Sequence, residues 1–88
     1  MAQHKSAKKR ARQALKRQAR NRLARGGIKA TVKNVRGAIA AGDGEAAKQA
    51  LPQAEGLIRR AASKGVIPKA RANRQISRLA RAAHHAQS

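Results

Sequence analysis

The scarcity of large apolar side chains is the feature of this sequence that most limits what it can fold into. Its 88 residues include five Leu, five Ile and three Val, with no aromatic residue and no Cys. These aliphatics are about 15% of the chain, below the roughly 20% under which highly charged chains tend towards disorder. Burying each one yields roughly 1.5–3 kcal/mol, whereas ordering the backbone costs about 1–2 kcal/mol per residue. We therefore expect a single small domain whose thin core depends on a partner for part of its stability.

The charge indicates the chemistry of that partner. The chain has 22 Lys and Arg against three Asp and Glu, a net charge of +19, which repels itself unless a polyanion surrounds it. Residues 1–42 hold 13 basic and no acidic groups, residues 43–56 hold all three acids and one Lys, and residues 57–88 hold eight basic and no acidic groups. A solvated surface usually mixes both signs. The two ends of the chain are therefore predicted to bind nucleic acid.

A long first helix is predicted for residues 5–41, which contain no Pro and no acid and are rich in strong helix formers. Ser6 is a plausible N-cap and Gly42 a plausible stop. An apolar stripe appears only in the second half of this helix, at Ile28, Val32, Val35 and Ile39. Residues 5–27 are therefore predicted to form an extended basic arm, with the bundle beginning at residue 28.

The pair Gly26-Gly27 lies at the junction of arm and bundle and costs roughly 1 kcal/mol per glycine in helix stability. Two interpretations remain open. The pair is either a hinge or melted segment before nucleic acid binds, or it is tolerated within a helix that nucleic-acid contacts hold.

A second helix is predicted from the N-cap Asp43 to about Lys64. Pro52 removes one backbone donor, so we expect a kink or a short break there. Gly65 fits the position after the helix end, with Val66 making the apolar contact that accompanies such an ending. The apolar face comprises Ala47, Ala50, Leu51, Ala54, Leu57, Ile58 and Ala61.

The third helix has the clearest pattern, with Pro68 predicted at its first position. Four arginines fall within an arc of about 80°, and four apolar residues fill a similar arc on the opposite side. The arginines are Arg71, Arg74, Arg78 and Arg81, and the apolar residues are Ala72, Ile76, Leu79 and Ala83. Together these elements predict an all-α fold, a three-helix bundle over residues 28–83 with a long N-terminal helix extending beyond it. Residues 84–88 carry no pattern and are predicted to be a frayed tail.

The candidate nucleic-acid-binding residues are the cations of the arm and of the third helix. Arg can fork across two phosphate oxygens, whereas Lys acts as a mobile point charge, so we expect the arginines to set the geometry. Without aromatic rings, recognition should rest on shape and backbone, with weak sequence reading. The set is Lys5, Lys8, Lys9, Arg10, Arg12, Lys16, Arg17, Arg20, Arg22, Arg25, Lys69, Arg71, Arg74, Arg78 and Arg81.

Little in the sequence indicates a catalytic site, a cofactor or metal site, or a membrane-spanning segment. Three acids, three His and no Cys leave few catalytic arrangements, and Asp43 is already explained as a cap. The pair His84-His85 lacks the further ligands that a metal site needs. No apolar run is long enough for a transmembrane helix or a signal peptide. We expect a soluble, non-enzymatic protein of a reducing cytoplasm without cofactor, metal or small-molecule substrate.

Several segments resemble the bacterial small-subunit ribosomal protein S-twenty family, in order and over nearly the whole chain. Each motif is weak by itself, but their order and spacing and the chain length are together fairly specific. The matching residues are Lys5-Ser6-Ala7-Lys8-Lys9-Arg10, Ala38-Ile39, Ala41-Gly42-Asp43, Lys64-Gly65-Val66-Ile67, Lys69, Ala72, Arg74 and Ser77-Arg78-Leu79.

The resemblance implies a three-helix bundle with an extended first helix, bound to 16S ribosomal RNA in the lower body of the small subunit and acting early in assembly. It implies a monomer within the ribosome, located in the cytoplasm. It also implies that Lys5, Lys8, Lys9, Arg10, Arg74 and Arg78 lie against RNA. The sequence departs from the family at Gly26-Gly27, at Pro52, at Pro68 in place of the common His, and at Ala70 in place of the common Asn.

Two other functions compete with this interpretation. A nucleoid or histone-like DNA-compacting protein is the nearest alternative, because neutralising a phosphate backbone does not by itself separate RNA from DNA. A membrane-active or organellar-targeting peptide is the alternative from another class, but the first 25 residues lack the aliphatic face that membrane insertion needs.

Overall fold

The fold is three α-helices, seen in a computed structural model that describes the backbone of residues 2–87 and the side chains of residues 6–86. Helix α1 runs over Ala2–Ala40, α2 over Gly44–Ser63 and α3 over Lys69–Gln87, and no strand occurs within residues 2–87. The predicted all-α three-helix bundle with a long N-terminal helix is confirmed.

The molecule is elongated because α1 is far longer than the other helices. Its principal extents are 66 × 21 × 14 Å and its radius of gyration is 17.5 Å, against about 12 Å for a compact chain of this length. The 39 residues of α1 span about 58 Å at 1.5 Å per residue. The N-terminal part of α1 therefore projects from the bundle.

The start of α1 differs from the predicted one. Ser6 was predicted to cap the helix, but α1 already begins at Ala2, because the residues before Ser6 include no helix breaker and the hydroxyl meets no free helix end. The glycine pair Gly26-Gly27, for which both a hinge and a tolerated helical position were open, lies within the unbroken helix.

Glycine ends both α1 and α2. Gly42 and Gly65 have φ angles of 76° and 77°, values that a residue without Cβ adopts at no steric cost. After α1, the amide of Gly42 donates to the Ile39 carbonyl at 3.0 Å, and the amide of Asp43 donates to the Ala38 carbonyl at 2.9 Å. These two hydrogen bonds together form a Schellman motif at the end of the helix.

The same ending recurs after α2. Gly65 donates to Ala62 at 3.1 Å and Val66 donates to Ala61 at 2.9 Å, and Val66 packs against the cluster that contains Ala61. The predicted role of Gly65 and the apolar contact of Val66 are confirmed.

The starts of α2 and α3 depend on Asp43 and Pro68. A carboxylate oxygen of Asp43 accepts the amide of Ala46 at 3.1 Å, which confirms the predicted N-cap. The Pro68 carbonyl accepts the amide of Ala72 at 3.0 Å, so Pro68 is the N-cap of α3, one position before the predicted one.

Pro52 does not interrupt α2, so of the kink or short break expected there, the break does not occur. The helix is continuous over Gly44–Ser63 with Pro52 inside it. Pro52 is exposed, so water can satisfy the carbonyl that loses its amide partner. Buried residues on both sides of the proline, Ala47 and Ala54, hold the helix against the bundle.

Two apolar clusters form the core, and each draws on all three helices. The first contains Val35, Ala47, Ala54, Leu79 and Ala83. The second contains Ile28, Ile58, Ala61 and Ala72. Since Ile28 and Ala72 lie at one end of the bundle and Val35 and Leu79 at the other, α1 and α3 run parallel, with α2 antiparallel to both. Every predicted apolar position of the three helices is buried or half-buried.

The C-terminal end of α3 extends further than the pattern indicated. Residues 84–87, predicted as a frayed tail, are helical, and Ser88 lies outside the described residues. His84 and His85 continue the last turn of α3.

Candidate nucleic-acid interface

The arm presents cations around its whole circumference. Residues 6–20 are all exposed, as are Arg22 and Arg25. At about 100° per residue, the basic side chains from Lys8 to Arg25 leave no angular gap wider than about 60°. The described members are Lys8, Lys9, Arg10, Arg12, Lys16, Arg17, Arg20, Arg22 and Arg25. Lys5 lies in α1, but its side chain is outside the described residues.

The two leucines of the arm are exposed as well, which confirms that they do not continue the apolar stripe. Leu15 is 65% exposed and Leu23 is 78% exposed. Along one side of the arm, a shallow hollow is lined by Lys8, Lys9, Arg12, Gln13 and Lys16. Four cations without an acid make this surface suited to phosphate.

The base of the arm lies beside the connection between α2 and α3. A cleft there is lined by Arg17, Arg20, Asn21 and Ala24 from α1 and by Lys64, Gly65 and Val66 from the connection. The half-buried Asn21 and Ala24 show where α1 comes close to the bundle. Lys64 was not singled out from the sequence as a binding residue, and its place in this cleft follows from the packing of α1 against the connection.

The arginine stripe of α3 is exposed and lies opposite the core. Arg71, Arg74, Arg78 and Arg81 are exposed, while Ala72, Leu79 and Ala83 are 2–3% exposed. Lys69 is also exposed, but by helical geometry it lies about 160° from Arg71, on the side of the apolar residues. The structure therefore separates Lys69 from the four arginines.

The arm and the stripe form one surface because α1 and α3 run parallel. Arg25 and Lys29 of α1 line a groove together with Arg71 of α3, so the stripe begins where the arm ends. Residues 6–25 and residues 71–81 together extend over about 45 Å. Lys29, which was not among the binding residues predicted from the sequence, lines this groove, where the arm meets the bundle.

The acids lie elsewhere. Asp43 and Glu45 are at the start of α2, at the end of the bundle opposite the arm, and Glu55 is half-buried in the same helix. No acidic residue lines the hollow, the cleft or the groove described above. The basic surface is therefore not neutralised by the chain itself.

The described residues contain no metal-binding group and no membrane-spanning helix. No group of three or more His, Cys, Asp or Glu there could hold a metal ion. No helix in the described part of the chain is long and apolar enough to span a bilayer. No buried side-chain polar atom among these residues lacks a hydrogen-bond partner.

Comparison with known proteins gives a consistent result. Residues 2–84 match the family model for ribosomal protein S20. A small ribosomal subunit protein bS20 from Anaeromyxobacter sp. (strain K) is 57% identical over 83 residues, 94% of this chain and 91% of the relative. A protein of the same name from Syntrophotalea carbinolica is 56% identical over 79 residues, 90% of this chain and 91% of the relative. A third, from Nitratidesulfovibrio vulgaris (strain DP4), is 52% identical over 82 residues, 93% of this chain and 94% of the relative.

These matches confirm the resemblance to the small-subunit ribosomal protein family. With a family match over residues 2–84 and relatives that align along almost their full length, the chain belongs to the ribosomal protein S20 family.

Proposed function

We propose that this chain is a structural component of the small ribosomal subunit. It binds 16S ribosomal RNA directly through the phosphate backbone and stabilises the fold of that RNA during assembly. The observation that carries the proposal is the exposed basic surface of about 45 Å, which combines the arm with the arginine stripe and contains no acid. The relatives are named small ribosomal subunit proteins, and these names indicate the assembly in which we place the chain.

The arm and the stripe bind RNA in different ways. The cations of the arm point in all directions, so the arm enters the RNA and meets phosphates on several sides. The stripe occupies one face of α3, with Leu79 and Ala83 held in the core behind it, so α3 lies on the surface of the RNA. Release of counterions from each neutralised phosphate provides the main driving force.

In this proposal the chain acts as a monomer within a cytoplasmic ribosome and needs no cofactor. Each phosphate contact brings together RNA segments that would otherwise repel one another, which is how a small basic protein stabilises a large folded RNA. A DNA-compacting protein is the alternative that charge alone would permit. Membership of a ribosomal protein family favours RNA.

Sucrose-gradient fractionation of a cell lysate tests the assembly. The protein should sediment with the small ribosomal subunit and leave it only at high salt. Recovery of the whole pool with chromosomal DNA would overturn the proposal and support the alternative.

Salt dependence tests the mode of binding. With about ten phosphates neutralised, log K for binding to 16S ribosomal RNA should fall against log salt with a slope of about −7 to −9. A slope near about −2 would mean that only a few cations contact phosphate.

A further inference from the structure

The groove between α1 and α3, which Arg25, Lys29 and Arg71 line, differs from the rest of the basic surface because its floor is apolar. It has a volume of about 280 Å³, near the lower end of the range of small-ligand sites. Ile28, Val32 and Ile67 provide the floor. Ile28 is 7% exposed, while Val32 and Ile67 are only half-buried. In a chain with so few aliphatics, a partly uncovered apolar surface is costly unless a ligand covers it.

Three cations surround this floor. Arg25 and Lys29 come from consecutive turns of α1, and Arg71 comes from the first turn of α3. All three are exposed, and no acid lines the groove. Three like charges around one hollow repel one another, and an anion bound between them reverses that repulsion.

An exposed amide completes the lining. Gln75 lies one turn after Arg71 in α3, and its side chain can both donate and accept hydrogen bonds. A phosphate ion alone would leave the apolar floor uncovered, and an apolar protein side chain would leave the cations unpaired. A nucleotide has a flat base with polar edges and an attached phosphate, and so matches all three parts of the lining.

We propose that the groove binds one unstacked nucleotide of the RNA, an inference that rests on the proposed function. The base lies on Ile28, Val32 and Ile67, and Gln75 contacts its polar edge. The phosphates on either side of the base are held by Arg25, Lys29 and Arg71. The chain thereby reads one base, which adds to the recognition by shape and backbone, with weak sequence reading, that the absence of aromatic rings predicted.

The variant Gln75→Ala of the full-length protein tests this proposal, with Gln49→Ala as the matched control. Both glutamines are exposed and helical, but Gln49 lies in α2 outside the groove, and Ala is at least as good a helix former as Gln. Binding to 16S ribosomal RNA should weaken about five-fold or more for Gln75→Ala. The loss should be the same at every salt concentration, because no charge changes. Gln49→Ala should bind like the wild type.

Chemical probing of the RNA identifies the nucleotide. With reagents that attack the Watson–Crick edges of unpaired bases, one base should be protected by the wild type and by Gln49→Ala. It should become reactive with Gln75→Ala, and also with Ile67→Ala, a second variant that removes part of the floor. Circular dichroism confirms that each variant is folded.

Arg71→Gln provides the contrasting result, since it removes one phosphate contact. It should reduce the magnitude of the salt slope by about one, which Gln75→Ala should not do. Unchanged affinity and unchanged base reactivity for both Gln75→Ala and Ile67→Ala would overturn the nucleotide site while leaving the proposed function intact. Failure of the wild type to bind 16S ribosomal RNA would instead overturn the proposed function.

Discussion

The hydroxyl of Thr31 donates a hydrogen bond of 2.9 Å to the carbonyl oxygen of Ile28, one turn earlier in α1. Thr31 is only 8% exposed and lies among the apolar residues that α1 contributes to the bundle. Because the bond is made within its own helix, the threonine needs no polar partner on α2 or α3.

Thr31→Val should leave the free energy of unfolding within about 1 kcal/mol of the wild type. The Ile28 carbonyl keeps its helical bond from the amide of Val32, so removing the hydroxyl leaves no buried acceptor unpaired. Thr31→Ser is the matched control, since it keeps the hydroxyl but loses a buried methyl group, at a cost of about 1 kcal/mol. Urea denaturation followed by circular dichroism measures both changes. A loss of more than about 2 kcal/mol for Thr31→Val would show that the hydroxyl has a further role.

The double variant Gly26→Ala, Gly27→Ala should raise helix content and stabilise the free protein by up to about 1 kcal/mol per site. Beyond the chain neighbours and the backbone of α1 itself, added methyl groups would meet no atom within 4 Å at either position, so the substitution gains helix propensity without a clash. Circular dichroism and thermal unfolding check the result.

Gly42→Ala is the control for the glycine substitutions. No atom lies within 4 Å of an added methyl group there either, but its φ angle is 76°, and left-handed backbone costs an alanine about 1–2 kcal/mol. This variant should be destabilised. Destabilisation by the Gly26 and Gly27 changes as well would mean that the pair has a conformational role that the continuous helix does not explain.

Substitutions at two neighbouring residues of α3 should have different effects, one on RNA binding and the other on stability. Arg78→Glu should weaken RNA binding without loss of helix, because Arg78 is exposed and the change reverses its charge. Leu79→Ala should lower the free energy of unfolding by about 2–5 kcal/mol, because Leu79 is 3% exposed in the first core cluster. Circular dichroism and a binding titration on the same preparations separate the two effects.

Arg74→Glu extends this comparison and should behave like Arg78→Glu. Equal losses of helicity and of binding for the arginine and leucine variants would show that α3 has no division between a core face and a binding face.

The arm should fold on RNA. Residues 6–20 are exposed throughout, so in the free protein their helix depends on intrinsic propensity, and like charges without an acidic partner oppose it. We expect the amides of residues 5–25 to exchange with solvent rapidly in the free protein and slowly in the complex with 16S ribosomal RNA. The packed segment Val32–Ile39 should be protected in both states. Equal protection of the two segments in the free protein would contradict the prediction.

Much of the candidate site followed from sequence periodicity. The opposed arcs of α3 predicted that Arg74 and Arg78 would be exposed and Leu79 buried, and the structure confirms these positions. The periodicity is local, since residues three and four apart share a face whatever the rest of the chain does. Contact of these arginines with RNA remains a prediction.

Helix boundaries were less predictable where competing signals were present. The ending at Gly42 and the cap at Asp43 were correct, because each depends on local backbone and side-chain chemistry. The break expected as one possibility at Pro52 does not occur, because packing of the flanking residues outweighs one missing hydrogen bond. That packing involves the other helices, which a local pattern does not show.

By itself, the sequence determined three helices, their buried faces and a surface that requires a polyanion, since propensity, periodicity and charge are properties of residues close together in the chain. Only the tertiary structure decided that the arm leads directly into the arginine stripe. That arrangement depends on α1 and α3 packing parallel, which brings Arg25 and Lys29 beside Arg71. Contacts between residues more than forty positions apart are set by how the helices share their core, and no local pattern encodes them.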